Sequence, residues 1–167
     1  MLTLISRRNF IITGVAAATA TAWPSFNSAE TTSNRNDVAR IVKAWLHAYQ
    51  NIAEPDKMLD LLANDISFED PTFRLRHEGR ESMRKMVEEA AAGFQQVKIE
   101  PSLVVIDPPW AAMQTTISGI LKMADTFATI NVRGATFLMI EKDKIKKWTD
   151  YYDYRTYNEQ LKRGPVK

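Results

Sequence analysis

The sequence contains no cysteine and only two histidines and six glycines. Without cysteine there is no disulfide framework, thiolate metal site, iron–sulfur cluster or cysteine nucleophile. Neither His47 nor His77 has a second histidine four residues away, so no metal-ligand spacing is present. An excess of charge of one sign is also lacking, with 22 Lys plus Arg against 20 Asp plus Glu and a net charge of +2. Phosphate backbones need a clear cationic excess, so nucleic acid is excluded as the main partner. There is no Gly-rich phosphate loop, Gly-x-Ser-x-Gly elbow, Ser/Lys motif or dinucleotide fingerprint, and no cofactor is expected. Long hydrophobic runs are missing too. The uncharged run Phe10 to Ala22 has 13 residues, about 20 Å as a helix against a bilayer core of about 30 Å, too short for a permanent membrane anchor.

What is present is a chain of 167 residues, 45% of them hydrophobic. That suits one globular domain burying about two thirds of its unfolded surface. Met1 to Ala29 has no acidic residue, and Arg7 and Arg8 precede the uncharged run, the layout of a bacterial export signal. The hexapeptide Ser6-Arg7-Arg8-Asn9-Phe10-Ile11 resembles the twin-arginine signal, although Ile12 stands where that signal has Lys. The resemblance implies recognition by the twin-arginine export machinery and a periplasmic or otherwise exported protein. Ala20-Thr21-Ala22 offers a cleavage site after Ala22, with Asn27-Ser28-Ala29 as a second choice. Arg7 and Arg8 are the only charged side chains before Glu30, so the rest of the chain carries 20 basic against 20 acidic residues.

After a polar linker from Glu30 to Asn36, Val38, Ile41, Val42, Trp45, Leu46, Tyr49 and Ile52 recur at helical steps. Pro55 suits the first turn of a short second helix with Met58, Leu61 and Leu62 inward. Ile66 to Asp70 reads as a strand ended by Pro71, and Arg80 to Phe94 as a third helix. The period then turns strand-like over Val97 to Asp107, Trp110 to Met123, Thr126 to Glu141 and Lys144 to Tyr154, with turn residues at hairpin spacing. The expected class is α+β: three N-terminal helices packed in a strongly curved, mainly antiparallel sheet, with Pro101 and Gly119 as bend points.

That order of elements, with Phe68-Glu69-Asp70-Pro71 closing the first strand and Trp148-Thr149-Asp150-Tyr151-Tyr152-Asp153 in the last, resembles the nuclear transport factor 2-like superfamily. Within it the chain is similar to the SnoaL-like, limonene epoxide hydrolase and ketosteroid isomerase branches over residues 37–161. The resemblance implies a conical domain enclosing one deep apolar pocket, and a homodimer formed through the outer sheet face. It places Asp70 where the isomerases hold a proton-shuttling carboxylate, and Asp150 where the hydrolases and cyclases hold an acidic catalytic residue. It also shows departures. Trp45 and Ala135 stand near the two isomerase oxyanion donors, and Thr116 and Ser118 at the hydrolase Arg and second Asp, so neither named activity transfers directly.

Strand alternation puts Trp148, Asp150 and Tyr152 on one face. If that face is the buried one, two large aromatics desolvate the carboxylate, which raises its pKa and makes it an acid or base near neutrality. If it is the solvated face, Asp150 is a surface charge. Asp70 before Pro71 is either a second carboxylate of the pocket or the start of a turn that lowers its pKa by backbone N–H bonds. Trp45, His47, Tyr49, Phe68, Trp148 and Tyr152 are the candidate substrate contacts. Further aromatics (Phe73, Phe94, Trp110, Phe137) and Met86, Met113 and Met139 line a cavity or fill the core. Arg74 to Arg80, with His77, reads either as a solvated charged loop or as a cluster that receives an anionic substrate at a pocket mouth. The functional expectation is an enzyme using carboxylate acid–base chemistry on a small apolar or aromatic molecule, of isomerase, cyclase, dehydratase or hydrolase type. A non-catalytic binder of a small hydrophobic ligand and a dimerisation or partner-binding module are the alternatives.

Overall fold

Asn34 opens the first helix by accepting the N–H groups of Asn36 and Asp37 at 2.9 and 3.1 Å. In this computed structural model, which describes residues 33–124 and 126–163, that helix is α1, Arg35–Gln50, and it buries Val38, Ile41, Val42, Trp45 and Ala48. It stops two residues before Ile52, where the Asn51 side chain returns to the His47 carbonyl at 2.8 Å. Pro55 begins α2, Pro55–Leu59, but Leu62 already belongs to the next strand. The export signal and its cleavage site after Ala22 lie outside the described residues. Among those described, no helix is long and apolar enough to cross a membrane.

The remaining elements are β1 (Leu62–Asp70), β2 (Leu75–Glu78), α3 (Arg80–Gly93), β3 (Phe94–Asp107), β4 (Trp110–Lys122), β5 (Phe127–Glu141), β6 (Lys144–Tyr152) and α4 (Tyr154–Arg163). The class is α+β, with one six-stranded mixed sheet in the order β2-β1-β6-β5-β4-β3. Neighbours are antiparallel except β1 and β6, which run parallel. Lys142 and Asp143, at φ 49° and 61°, form the two-residue turn between β5 and β6. Register shifts interrupt β3 between Gln95 and Lys98 and between Pro101 and Leu103. Gly119 faces the first of these, where a Cβ would come within 3.0 Å of the Gln95 carbonyl oxygen. The two residues expected to disturb the strands thus sit at or opposite the irregularities.

Two elements differ from expectation. The charged loop contains β2, a four-residue edge strand paired with β1 through Phe68↔His77 and Asp70↔Leu75. Its Leu-Arg-His-Glu composition has no apolar alternation, and pairing alone makes it a strand; charged side chains on such an edge also discourage association. Helices number four among the described residues rather than three, because the chain turns at Asp153 into α4. Asp153 caps that helix by accepting the Thr156 N–H at 3.0 Å and hydroxyl at 2.7 Å, and Gln160 exchanges two hydrogen bonds with the Asn131 backbone on β5. Tyr157 and Leu161 pack against the core. The core fills the space between the helices and one sheet face, with Trp45, Leu59, Leu62, Ile66, Met83, Leu138 and Ile145 fully buried.

Candidate functional site

The site grows from the parallel pairing of β1 with β6. Phe68 lies opposite Trp148 and Glu69 opposite Thr149, so one residue on, Asp70 comes beside Asp150 on the inner face. Alternation on β6 is as expected: Trp148 and Asp150 are buried and Tyr152 half-buried, while Tyr151 is exposed. Thr136, opposite Asp150 on β5, donates its hydroxyl to Asp150 Oδ1 at 2.6 Å. The Tyr152 hydroxyl donates to Oδ2 at 3.1 Å. Gly134 stands opposite Tyr152, and a Cβ there would fall 2.7 Å from the Tyr152 Cδ1 and 2.6 Å from the Tyr151 carbonyl oxygen. The absent side chain is what lets the ring lie across β5 and reach back to the carboxylate.

Asp150 is 2% exposed. Burial pushes its pKa from an ordinary 3.8 up to about 6, against the opposing hydrogen bonds from Thr136 and Tyr152 and with a small further push from the charge of Asp70. The Trp148 indole N–H acts with those bonds in stabilising the charge, although it lacks the geometry of a full hydrogen bond and is buried without a partner. Asp70 makes the turn its sequence foreshadowed, accepting the N–H groups of Thr72 and Phe73 at 2.9 and 3.2 Å. Its pKa is nonetheless raised, because desolvation outweighs those bonds. The Thr72 hydroxyl oxygen accepts the Tyr152 backbone N–H at 2.9 Å, tying this turn to β6. Burial first, and the charge of Asp150 second, raise the pKa of both Tyr49 and Tyr152, so both phenols keep their protons.

These groups line a cavity of about 280 Å³ whose remaining wall is apolar, including Phe68, Met86, Phe94, Ile117, Ile130 and Val132. Tyr49, Phe68 and Trp148 meet edge-on at centroid distances of 5.0 to 6.3 Å, and Phe73 stacks near Tyr152 at 5.9 Å and Tyr157 at 4.9 Å. Among the described residues, no group of three or more His, Asp or Glu side chains is arranged to hold a metal ion.

Six of the eight site residues read from the sequence therefore meet at one cavity: Asp70, Asp150, Tyr49, Phe68, Trp148 and Tyr152. The other two do not. Trp45 is fully buried behind the wall, against Tyr49 at 5.1 Å and Trp148 at 5.4 Å. His47 lines a separate surface groove with Arg40, Lys43, Lys57 and Asp60. Two residues from Tyr49 on a helix, it is carried to the other side of α1. Phe73, Phe94 and Met86 line the cavity, whereas Trp110 and Phe137 are exposed and Met113 is core. Thr136, Gly134 and Tyr157 were missed. Tyr157 was findable, since the Asp153 cap and the spacing of Tyr154, Tyr157 and Leu161 announce a helix; Thr136 and Gly134 follow only from the strand register.

A comparison with curated proteins finds no match. Solved structures share the fold. A candidate SnoaL-like polyketide cyclase from Shewanella denitrificans is 14% identical with a TM-score of 0.70, covering 78% of this chain and 99% of its own. An LEH-like epoxide hydrolase from M. tuberculosis is 21% identical with a TM-score of 0.63, covering 78% and 92%. A protein of ketosteroid isomerase-like fold from Catenulispora acidiphila, in complex with trimethylamine, is 23% identical with a TM-score of 0.64, covering 72% and 90%. The model of the SnoaL-like domain matches residues 42–148, a span that runs from the middle of α1 to the Trp148 wall of the cavity, and the chain belongs to the SnoaL-like family.

Proposed function

We propose that the protein is an enzyme that needs no cofactor and moves protons on a small apolar or aromatic molecule, as an isomerase, cyclase, dehydratase or hydrolase. The observation that carries this reading is Asp150: a buried carboxylate on a cavity wall with a pKa of about 6, held between Thr136 and Tyr152. A group with that pKa exchanges its proton readily near neutral pH, which is what a general acid or base requires. Asp150 is the principal acid or base, Asp70 a second carboxylate beside it, and the Tyr49 and Tyr152 phenols orient the ligand. An open cavity reaching both carboxylates favours an enzyme over a simple binder, and a filled core would have favoured a partner-binding module.

The same proposal includes the conical wrap of the nuclear transport factor 2-like fold, export through the twin-arginine pathway and action in the periplasm. It also includes a homodimer through the outer sheet face, supported by Leu103, Val105, Trp110, Phe137 and Tyr151, all exposed. Native mass spectrometry of protein purified from its host identifies a molecule that travels with it. Turnover of that molecule falls at least about a hundredfold in Asp150→Asn while the fold is retained. Undiminished turnover in that variant removes Asp150 from the chemistry.

A further inference from the structure

The cavity contains two carboxylates and nothing to neutralise them. Asp70 from β1 and Asp150 from β6 reach its wall, and among the described residues no lysine, arginine or histidine lines it. The other groups around Asp150 are Tyr49 from α1, Tyr152 from β6, Thr136 from β5 and, farther along the wall, Tyr157 from α4. All are neutral donors. On the outside, Arg76 pairs with Glu69 and Arg80 with Asp60, and Arg74, between the lining residues Phe73 and Leu75, does not itself line the cavity. Ionised carboxylates in an apolar space are costly unless a proton or a cation joins them. The described residues supply no cation to the cavity, so one arriving with the ligand would relieve both acids at once, whereas an anionic ligand would be repelled.

The walls fit the same conclusion. Tyr49, Phe68, Trp148, Phe73, Tyr152 and Tyr157 line the same cavity as the two carboxylates. The faces of these rings carry the negative quadrupole that holds alkylated ammonium groups. The volume, about 280 Å³, falls just under the range of roughly 300–1,000 Å³ for drug-sized ligands, which limits the occupant to a small molecule.

We infer that this cavity takes a small organic cation, a tertiary or quaternary amine, seated among the aromatic rings with its charge against Asp70 and Asp150. This rests on the reading of the cavity as a ligand site and names the ligand class. It also sets the direction of the chemistry: a bound cation holds Asp150 ionised, so in the complex Asp150 is a base.

Choline and its neutral isostere 3,3-dimethylbutan-1-ol separate charge from shape in calorimetric titrations of the full chain. Choline binds about tenfold or more tightly than the isostere at about pH 8. Its affinity falls about tenfold at about pH 5, where Asp150 holds a proton, while the isostere's does not fall. In Asp150→Asn choline drops to the level of the isostere, whose retained binding shows that the cavity is intact. Equal affinity for the two, or choline binding indifferent both to pH and to Asp150→Asn, overturns the inference. Binding of the isostere alone overturns it too, yet leaves the acid–base reading standing. Binding of neither overturns it and leaves that reading to the co-purified molecule.

Discussion

Asp70 and Asp150 stand side by side at the ends of two strands paired in parallel, yet they are held in different ways. Asp70 is fixed by its own turn, through backbone N–H groups two and three residues ahead. Asp150 is fixed by Thr136, fourteen residues back on β5, and by Tyr152, whose ring reaches it only because Gly134 has no side chain. Both pKa values rise, because both carboxylates lose water, but the local turn compensates Asp70 with fixed amide dipoles. Where the local chain supplies fixed amide donors, they offset part of what burial costs the carboxylate. Where distant elements supply the donors, the carboxylate is left poised for proton transfer.

The largest effect that tests this contrast is on stability. An acid whose folded pKa lies above its unfolded one is tolerated best while protonated, so the contribution of Asp150 is most favourable below 3.8 and is lost as the pH rises through about 6. Above that window the ionised group costs up to about 3 kcal/mol. Asp150→Asn keeps the shape and removes the charge; it is expected to unfold at higher denaturant than wild type at neutral pH, with the gap closing near pH 4. A variant no more stable at neutral pH would mean that its hydrogen bonds compensate the burial of Asp150 in full.

A smaller effect belongs to Thr136. A hydrogen bond to a charged group is worth about 1.5 to 3 kcal/mol, so Thr136→Val should raise the Asp150 pKa by roughly one to two units. Carboxyl carbon NMR titration reads this directly, and an unmoved pKa would remove Thr136 from the site. The smallest effects fall on Asp70. Asp70→Ala loses the turn and about 1 kcal/mol, whereas Asp70→Asn keeps the acceptor oxygen and should unfold within about 0.5 kcal/mol of wild type. The same Asn variant should lower the Asp150 pKa slightly, since the charge of Asp70 pushes it up. Chemical denaturation and the same titration check both, and a large loss of stability in Asp70→Asn would show that its charge, and not only its turn, holds the fold.

Much of this architecture is legible in the chain because it is local. The stripe from Val38 to Tyr49 names α1, Pro55 opens α2, and alternation along β6 puts Trp148, Asp150 and Tyr152 on one face. The misses have equally physical causes. Nothing in Leu75 to Glu78 favours a strand until β1 offers its edge. Reading His47 with the pocket ignored the rotation of a helix, about 100° per residue, which turns it away from Tyr49. Phe137 is inverted for the same kind of reason, since its neighbours Thr136 and Leu138 take the inner face of β5.

By itself the sequence settled the character of the parts: the α+β order, the apolar faces, and an Asp70-Pro71 step open to a turn or to a pocket carboxylate. Tertiary structure decided which parts meet. The parallel register of β1 against β6 brought Asp70 beside Asp150, and the register of β5 set Thr136 and Gly134 against that pair. Spacing along a chain governs which face a residue takes, because that depends on backbone period. The pKa of a buried acid depends on what surrounds it in space, and for Asp150 the named residues that shift it come from three strands, β1, β5 and β6.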